Sequence, residues 1–426
     1  MSAEVFRVIN GLYLGKHFPD ETVLSTLAYK PQDGDIMVVS YPKCGTTWTQ
    51  HIVYNILMDA EEPEDPLDQI AGFAAADPFG QVACTVGDSL DVKWTWPPLL
   101  LEVCNSDGSR NMSAEAFRVI NGLYLGKHFP DDTVLSTLAY KPQPGDLFIV
   151  SYPKCGTTWI QHIVYNILMD AEDPEDPLDQ VLRMPFLEMQ GAEAAVYAPQ
   201  PRVLKTHLPF HMNPYSPEAK YIYITRNPYD CCVSFYYHTR NNHPYQFGEG
   251  TFEEFFELFL HGRVDFGDYF DNVLSWYKHR RDPNILFLTY EELKTDTARL
   301  VLGVAAFIDE EREMRLKQNP ELLRKILEKS SMEYMKHKIG NSRQAPRREY
   351  RNSPQIKTLR PELLKGLNNL MAFTKKPMTG NFVRRGKVGD WRNHFSPEQI
   401  KRVKQKIAEA TLKSDFMNLW RDVDIP

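Results

Sequence analysis

The sequence predicts an α/β fold, in which one continuous unit begins at Met112 and follows a partial duplicate of its own first segment. Two observations lead to this prediction. Short apolar runs such as residues 147–150 and 285–289 have the composition of buried strands, and they alternate with helical patterns. In addition, residues 1–70 recur at 112–181, and about 61 of those 70 positions are identical.

The composition of the 426 residues is that of an ordinary globular protein, with 42% hydrophobic and 25% charged residues. The net charge of −7 argues against nucleic acid as a main partner. The chain has no apolar run long enough to span a membrane, and its N-terminus lacks the apolar core of a signal peptide. The six Cys suggest neither a disulfide framework nor a zinc site, so we expect a reducing, cytoplasmic location and no metal.

The repeat determines the predicted domain organisation, which is a partial duplicate at 1–70, an irregular linker at 71–111 and a complete domain at 112–426. The repeated segment holds one strand, one loop and one helix, which is too little for a domain, and a single repetition is not a solenoid. The apolar residues 94–101 make the linker unlike a flexible one. Two interpretations of the duplicate stay open. One is a duplicated exon or a gene model that joined two starts, and the other is a regulatory segment.

The loop at 152–159, with the sequence YPKCGTTW, separates the apolar run at 147–150 from a helical pattern. That pattern places apolar residues at Ile160, Ile163, Val164, Ile167 and Leu168. The Gly allows close backbone approach, and the Thr hydroxyls and first-turn N–H groups can bind an anion. We therefore predict a phosphate site rather than an ordinary strand-to-helix turn. It is not a Walker A loop, because the chain contains no GxxxxGK[ST].

The same octet stands at 41–48 in the first copy, where Thr49 takes the place of Ile160 and puts a hydroxyl on the apolar helix face. The thiols Cys44 and Cys155 lie beside a Lys and a helix N-terminus, which predicts a lowered pKa and a site that oxidation can block. The alternative is that Cys is simply a small residue tolerated at this position.

A second apolar run ends in Lys205 and His207, which are two residues apart and therefore point the same way on an extended strand. The carboxyl end of a parallel strand is where a cleft receives side chains. A third strand at 221–225 runs into Arg226, and Asp230 has the position of an N-terminal helix residue. From the residues alone, His207 and Arg226 can equally be structural.

Four motifs together resemble the cytosolic sulfotransferases. The octet resembles that family's phosphosulfate loop, usually YPKSGTTW, and Cys155 stands where the family has Ser. KTHLP at 205–209, RNPxDxxVS at 226–234 and a relative of RKGxxGDWK at 384–392 follow in the family's order. The resemblance covers 112–426. It implies one P-loop-like α/β domain with a central parallel sheet flanked by helices, and 3′-phosphoadenosine 5′-phosphosulfate (PAPS) as donor, with adenosine 3′,5′-bisphosphate as product.

The resemblance also implies a role for each matching residue. His207 is the catalytic base, Lys205 steadies the transferring sulfuryl oxygens, and Lys154 neutralises charge on the departing phosphate. The implied phosphosulfate contacts are Lys154, Cys155, Gly156, Thr157 and Thr158. The implied 3′-phosphate contacts are Arg226, Ser234, Arg384, Arg385 and Gly386. The implied adenine contacts are Trp159, Tyr290 and Met332, and this Met replaces the family's aromatic residue.

The implied reaction is sulfuryl transfer to a hydroxyl or amine of a small acceptor, such as a phenol, alcohol, steroid or biogenic amine. One alternative is a catalytically silent binding protein of the same fold, because the first copy competes with the second for its place in the sheet. A P-loop nucleotide kinase is the other alternative, but its Walker A loop and Mg²⁺ carboxylate set are absent from the sequence.

The C-terminal third gives three weaker expectations. Basic residues and turn-formers at 341–380 predict a mobile loop, and the resemblance implies a lid. Pro397 and Lys401 depart from the family's dimer motif, so a homodimer is not carried over. A helix at 397–413, with Trp420, is expected to close the core.

Overall fold

The computed structural model describes residues 6–9, 12–15, 116–344, 350, 352–381, 383–412 and 414–426. The chain divides into two units, Met1–Leu100 and Leu101–Pro426. The first-copy loop at 41–48, with Cys44 and Thr49, lies outside the described residues, as does the linker at 71–111.

In the first unit, β1 (Phe6–Ile9) and β2 (Leu12–Gly15) form an antiparallel hairpin. The second unit begins with the same hairpin in the same register, from β3 (Phe117–Ile120) and β4 (Leu123–Gly126). Asn121 and Gly122 connect β3 to β4 with φ values of 48° and 80°. Two consecutive positive φ angles are typical of a type I′ turn, for which Asn-Gly is the preferred pair. The sequence analysis missed both hairpins, although this dipeptide is their signal.

Four parallel strands form the central sheet of the second unit, in the order β6–β5–β7–β8. Their bounds are β5 (Leu147–Val150), β6 (Val203–Thr206), β7 (Lys220–Thr225) and β8 (Ile285–Thr289). The chain leaves β5 for β6 on one side and then crosses to β7 on the other. The carboxyl end of β5 is therefore a topological switch point, where open parallel sheets bind ligands.

The sheet is buried on both faces, as expected for parallel strands covered by helices. Phe148, Val150 and Tyr221 pack into one apolar cluster, whereas Ile149 and Ile222 pack into another on the opposite face. The predicted strands at 147–150, 221–225 and 285–289 are thereby found in the structure, because short apolar runs of this kind need two covering layers.

Helices cover both faces and the ends of the strands. The helices before β7 are α1 (Asp131–Ala139), α2 (Thr157–Leu168), α3 (Asp179–Arg183), α4 (Leu187–Gln190) and α5 (Ala192–Tyr197). Between β7 and β8 lie α6 (Pro228–Asn241), α7 (Phe252–Leu260) and α8 (Tyr269–Tyr277). After β8 come α9 (Tyr290–Thr295), α10 (Thr297–Ile308), α11 (Glu310–Gln318), α12 (Pro320–Lys329), α13 (Met332–Gln344), α14 (Pro361–Phe373) and α15 (Pro397–Ala410).

Two expectations on the C-terminal third need correction. The segment 341–380 was expected to be a loop, but it includes α14, whose residues Leu367 and Met371 pack against Leu178 and Leu182 of the region around α3. The helix expected at 397–413 ends at Ala410. Trp420 is buried, as expected, and its indole N–H donates to Glu291 Oε2 over 2.8 Å.

Candidate active site

The loop after β5 has the backbone geometry of an anion site. Gly156 is the N-cap of α2 with φ of 110°, and Lys154 also has a positive φ, of 69°. A Cβ on Gly156 would lie 3.1 Å from both Ile224 Cδ1 and Tyr290 Cδ2. The position therefore needs Gly for its φ and for the space around it. The turn brings the first N–H groups of α2 to the carboxyl end of β5, where helix N-termini bind anions.

A short polar chain links this loop to His207. The hydroxyls of Thr157 and Ser151 lie 2.6 Å apart, and both residues are buried. The carbonyl oxygen of Ser151 is 2.7 Å from Nδ1 of His207, which follows β6. A carbonyl only accepts, so Nδ1 carries the hydrogen and the lone pair is on Nε2. His207 is thus held in the tautomer that a base acting through Nε2 requires.

The surroundings of His207 keep its ring neutral. Burial, with the positive charges of Lys205 and Lys154 adding to it, lowers the pKa of His207 well below its usual value, although the contact with Ser151 acts in the opposite direction. The buried carboxyl of Glu188 fixes the backbone here, because its Oε1 accepts from the His207 N–H over 2.8 Å and from the Thr206 hydroxyl over 2.7 Å. Burial raises the pKa of Glu188 to about 7, against the lowering effect of these hydrogen bonds.

Lys205 and His207 face the same side of β6, as their spacing predicts. The Lys205 ammonium lies 3.8 Å from the ring centroid of Phe186, and the His207 ring lies 5.1 Å from the same centroid. A cation and a neutral imidazole therefore share one wall of the cleft.

A second cationic site follows β7. Arg226 is buried, its Nη2 donates to the Lys387 carbonyl over 3.0 Å, and its guanidinium lies 4.4 Å from the Tyr290 ring centroid. Asp230 Oδ2 is 3.9 Å from Arg226 Nη2. The Arg226 Nε is buried without a hydrogen-bond partner. A buried guanidinium with an unused donor fits an anionic ligand, because an unpaired buried donor is costly.

The segment 384–387 covers this second site. Arg384 and Arg385 both pair with Asp390, and Arg385 Nη1 lies 2.8 Å from Asp390 Oδ1. Burial alone would raise the pKa of Asp390, but Arg384, Asn393 and Arg385 together outweigh it and the pKa is lowered. Gly386 has φ of 64°, and a Cβ there would lie 3.2 Å from Met332 Sδ.

Three residues expected at the adenine lie close together. Trp159 meets Tyr290 edge to face with ring centroids 5.4 Å apart, and its indole N–H donates to the Ser330 carbonyl over 2.8 Å. Met332 begins α13 beside them. Together they form an apolar and aromatic wall next to the second cationic site.

One cavity contains the two cationic sites, the adenine wall and His207. Its described cationic lining residues are Lys154, Lys205, Arg226, Arg384, Arg385 and Lys387. Thr157, Thr158 and Ser234 also line it, and Asp265 is the acidic residue among its described lining. A chain with a net charge of −7 thus concentrates positive charge in this cavity, which favours a ligand with several negative charges.

Cys155 differs from the expectation. Its side chain is fully buried in the core, with Sγ 3.7 Å from Sγ of Cys231, and its backbone N–H donates to the Tyr152 carbonyl. The side chain therefore does not supply the accessible thiol that the redox hypothesis needs. Position in the loop suggested exposure, but the turn directs this side chain into the core.

Several residues of the site were missed by the sequence analysis. Ser151 precedes the motif and Glu188 lies in α4, and neither belongs to a local pattern that points to His207. Asp265 and His128 reach the cavity from segments far apart in the sequence. The signal for Glu188 that the sequence offered was an acidic residue close behind the apolar pair Pro185-Phe186.

Two further findings concern only the described residues. They include no cluster of three or more His, Cys, Asp or Glu side chains arranged for a metal ion. No helix among them is long and apolar enough to cross a membrane.

Comparison with known proteins identifies the family. The family model described as the sulfotransferase domain matches residues 33–78 and 144–415, which is more than half of the chain. This chain belongs to the sulfotransferase family. The family resemblance predicted from the four motifs, and the expectation of a PAPS-dependent sulfotransferase, are confirmed.

Individual sulfotransferases match more than half of this chain. Human sulfotransferase 1E1 is 32% identical over 317 residues, which cover 70% of this chain and 96% of that protein. Human sulfotransferase 1C2 is 34% identical over 275 residues, covering 62% of this chain and 82% of that protein. The crystal structure of mouse sulfotransferase SULT7A1 complexed with PAP is similar with a TM-score of 0.53 and 25% identity, covering 72% of this chain and 98% of that chain.

Proposed function

We propose that the second unit transfers the sulfuryl group of PAPS to a hydroxyl or amine of a small acceptor, with His207 as general base. The observation that supports this most strongly is the chain of contacts from Thr157 through Ser151 to His207. It joins the predicted phosphosulfate loop to the predicted base, so one rigid network positions both.

The residues of the cavity fit the donor that the family uses. PAPS has a phosphosulfate at one end and a 3′-phosphate at the other, and the cavity has a separate cationic site for each. Lys154, Gly156, Thr157 and Thr158 would hold the phosphosulfate, without a side-chain contribution from Cys155. Arg226, Ser234, Arg384, Arg385 and Gly386 would hold the 3′-phosphate, and Trp159, Tyr290 and Met332 the adenine. The similar mouse structure is complexed with PAP, which supports a donor of this class.

The donor supplies, when bound, a sulfuryl group attached to a good leaving phosphate. The protein's part is to position the acceptor, accept its proton and stabilise charge. His207 Nε2 accepts the hydroxyl proton, and the resulting imidazolium is steadied by the Ser151 carbonyl at Nδ1. Lys205 and Lys154 place positive charge where negative charge develops, which is how positioned cations lower the barrier of such transfers.

The neutral state of His207 is essential to this role. Burial, followed by the charges of Lys205 and Lys154, lowers its pKa, so the ring is unprotonated and able to accept a proton at neutral pH. The same cations therefore help to keep the base neutral and place positive charge beside the reacting group.

The test is transfer of labelled sulfate from PAPS to a panel of phenols, alcohols, amines and steroids by the full chain. We expect His207→Gln to lower the rate by about 10²–10⁴-fold, which is the usual contribution of general base catalysis. His261→Gln is the matched control, because His261 is an exposed residue at the end of α7. Equal loss in both variants, or full activity in His207→Gln, would contradict the proposed base.

A further inference from the structure

Four aromatic rings, which we call the aromatic box, line one part of the cavity, and they are those of His207, Phe186, Phe266 and Phe129. The rings of Phe186 and Phe266 each lie 5.1 Å from the His207 ring. Phe129 contacts both of them edge to face, with ring centroids 5.8 Å from Phe186 and 5.4 Å from Phe266. The cavity therefore offers an aromatic surface beside the proposed base, against which a flat apolar acceptor can pack.

A polar cluster lies next to Phe129 and Phe266. Asp265 is buried and lines the cavity, its Oδ2 accepts from the Tyr245 hydroxyl over 2.5 Å, and its Oδ1 accepts from the Gly126 N–H over 2.6 Å. His128 also lines the cavity, and its ring lies 4.8 Å from the Tyr245 ring. The His128 ring lies 4.5 Å from the Phe129 ring, and Asp265 directly precedes Phe266, so the cluster adjoins two rings of the aromatic box.

The cluster has hydrogen-bonding capacity that the protein does not use. Nε2 of His128 is 3.8 Å from Asp265 Oδ2, which is too long for a hydrogen bond. Nδ1 of His128 is buried without a hydrogen-bond partner. A carboxylate offers about four lone-pair sites, and the donors from Tyr245 and Gly126 leave capacity for a third. A hydroxyl or ammonium placed between His128 and Asp265 can contact both.

The charges in the cluster also favour such a partner. Burial raises the pKa of Asp265 to about 7, opposed by its hydrogen bonds from Tyr245 and Gly126. Burial, together with the charge of Arg118, lowers the pKa of His128 to about 3, so this ring is neutral. His128 therefore supplies no positive charge to the carboxyl, and a donor group on a ligand would compensate its desolvation.

We propose that Asp265 and His128 form a second polar subsite that selects the acceptor. The subsite takes acceptors whose aromatic body carries a second hydrogen-bond donor, a hydroxyl or an amine, opposite the hydroxyl that faces His207. The inference rests on the proposed function, since it assumes that the acceptor packs against the aromatic box beside His207.

A purely structural role for Asp265 makes a different prediction. The Gly126 and Tyr245 contacts tie the end of β4 to the segment before α8, and this tie stabilises the fold whatever the acceptor. Loss of that tie changes the turnover of all acceptors together. Loss of a subsite changes their ratio.

The experiment compares kcat/KM of the full chain for three phenols, namely 4-ethylphenol, 4-(2-hydroxyethyl)phenol and 4-(2-aminoethyl)phenol. We expect the wild-type protein to prefer at least one of the two bifunctional phenols by about tenfold or more, the usual effect of a hydrogen bond to a charged group. Asp265→Ala abolishes the preference. Asp265→Asn keeps it if the partner is a hydroxyl and loses it if the partner is an ammonium.

Tyr245→Phe is the matched control. Like Asp265→Ala, it removes the hydrogen bond between Tyr245 and Asp265, but it leaves the carboxylate, so the preference for the bifunctional phenols remains. Equal wild-type efficiency for the three phenols overturns the subsite while leaving the proposed function intact, and it does so even if the Asp265 variants fail to fold. An equal loss of preference in Tyr245→Phe also overturns it. Absence of transfer to all three phenols, and to the wider panel, refutes the proposed function, and the subsite falls with it.

Discussion

At the scale of single residues, the site depends on how His207 is held. The ring donates through Nδ1 to a carbonyl, its backbone is fixed by Glu188, and two lysines act on its charge. These contacts come from the loop after β5, from α4 and from β6. The environment of the proposed base is therefore a property of the assembled sheet and not of the KTHLP motif alone.

The protonation of His207 can be measured directly. We expect ¹⁵N-labelled donor-free protein to show a neutral His207 with hydrogen on Nδ1 throughout the range from about pH 6 to 8, because its pKa lies well below the ordinary value. Lys205→Met removes a positive charge and shifts the pKa of His207 upward. Lys317→Met, at an exposed position on α11, leaves it unchanged. A His207 signal that titrates near its ordinary pKa in wild-type protein contradicts this electrostatic description.

Residues of the candidate site could be predicted where they belong to a sequence motif, but not where tertiary packing brings them to the cavity. Lys205 and His207 follow from strand spacing and the family resemblance, whereas Asp265 and His128 are brought together by tertiary packing. Cys155 shows the opposite error. Its neighbours in sequence suggested an accessible thiol, but the direction of one side chain in a tight turn is not encoded in the composition of the loop.

At the scale of elements, the unit formed by β5, the loop and α2 determines the anion site. The apolar residues at helical spacing bury one face of α2, and Gly156 places the N-terminus of the helix at the end of the strand. The sequence predicted this unit because three features indicate it, namely the apolar strand, the Gly in the loop and the helical spacing of the apolar residues that follow. The helix breakers at 173–177 predict a later end of α2 than the structure has. The helix stops at Leu168, before the proline-rich segment, because Asp170 and Ala171 adopt positive φ.

Gly156→Ala tests this element. A left-handed φ costs a non-glycine residue about 1 kcal/mol, and here the added Cβ also crowds Ile224 and Tyr290. We expect a total loss of about 2–3 kcal/mol in the free energy of unfolding, together with weaker binding of adenosine 3′,5′-bisphosphate.

Gly145→Ala is the matched control for that variant, since Gly145 also has a positive φ, of 84°, but an added Cβ there has no neighbour within 4 Å. It should lose only about 1 kcal/mol and keep its ligand affinity. Urea unfolding and calorimetric titration measure both quantities. Equal behaviour of the two variants would show that the space around Gly156 does not matter.

At the scale of the whole molecule, the described residues of the cavity all belong to the second unit. The family model matches part of each copy, at 33–78 and 144–415. The division at 1–70, 71–111 and 112–426 stays a prediction, as do the cytoplasmic location and the silent-binder alternative. The α/β class with a central parallel sheet was predictable, because its strands are continuous apolar runs. The two hairpins were missed because their strands, FRVI and LYLG, are not continuous apolar runs like β5 and are too short to establish an alternating pattern.

The most direct test is PAPS-dependent sulfate transfer by the full chain and by a chain that begins at Met112, each with and without His207→Ala. We expect the shorter chain to transfer sulfate and to bind adenosine 3′,5′-bisphosphate, and His207→Ala to lose about 10²–10⁴ in rate while retaining that binding. A shorter chain that binds the bisphosphate but transfers no sulfate to any acceptor, or a His207→Ala variant as active as its parent, would contradict the account.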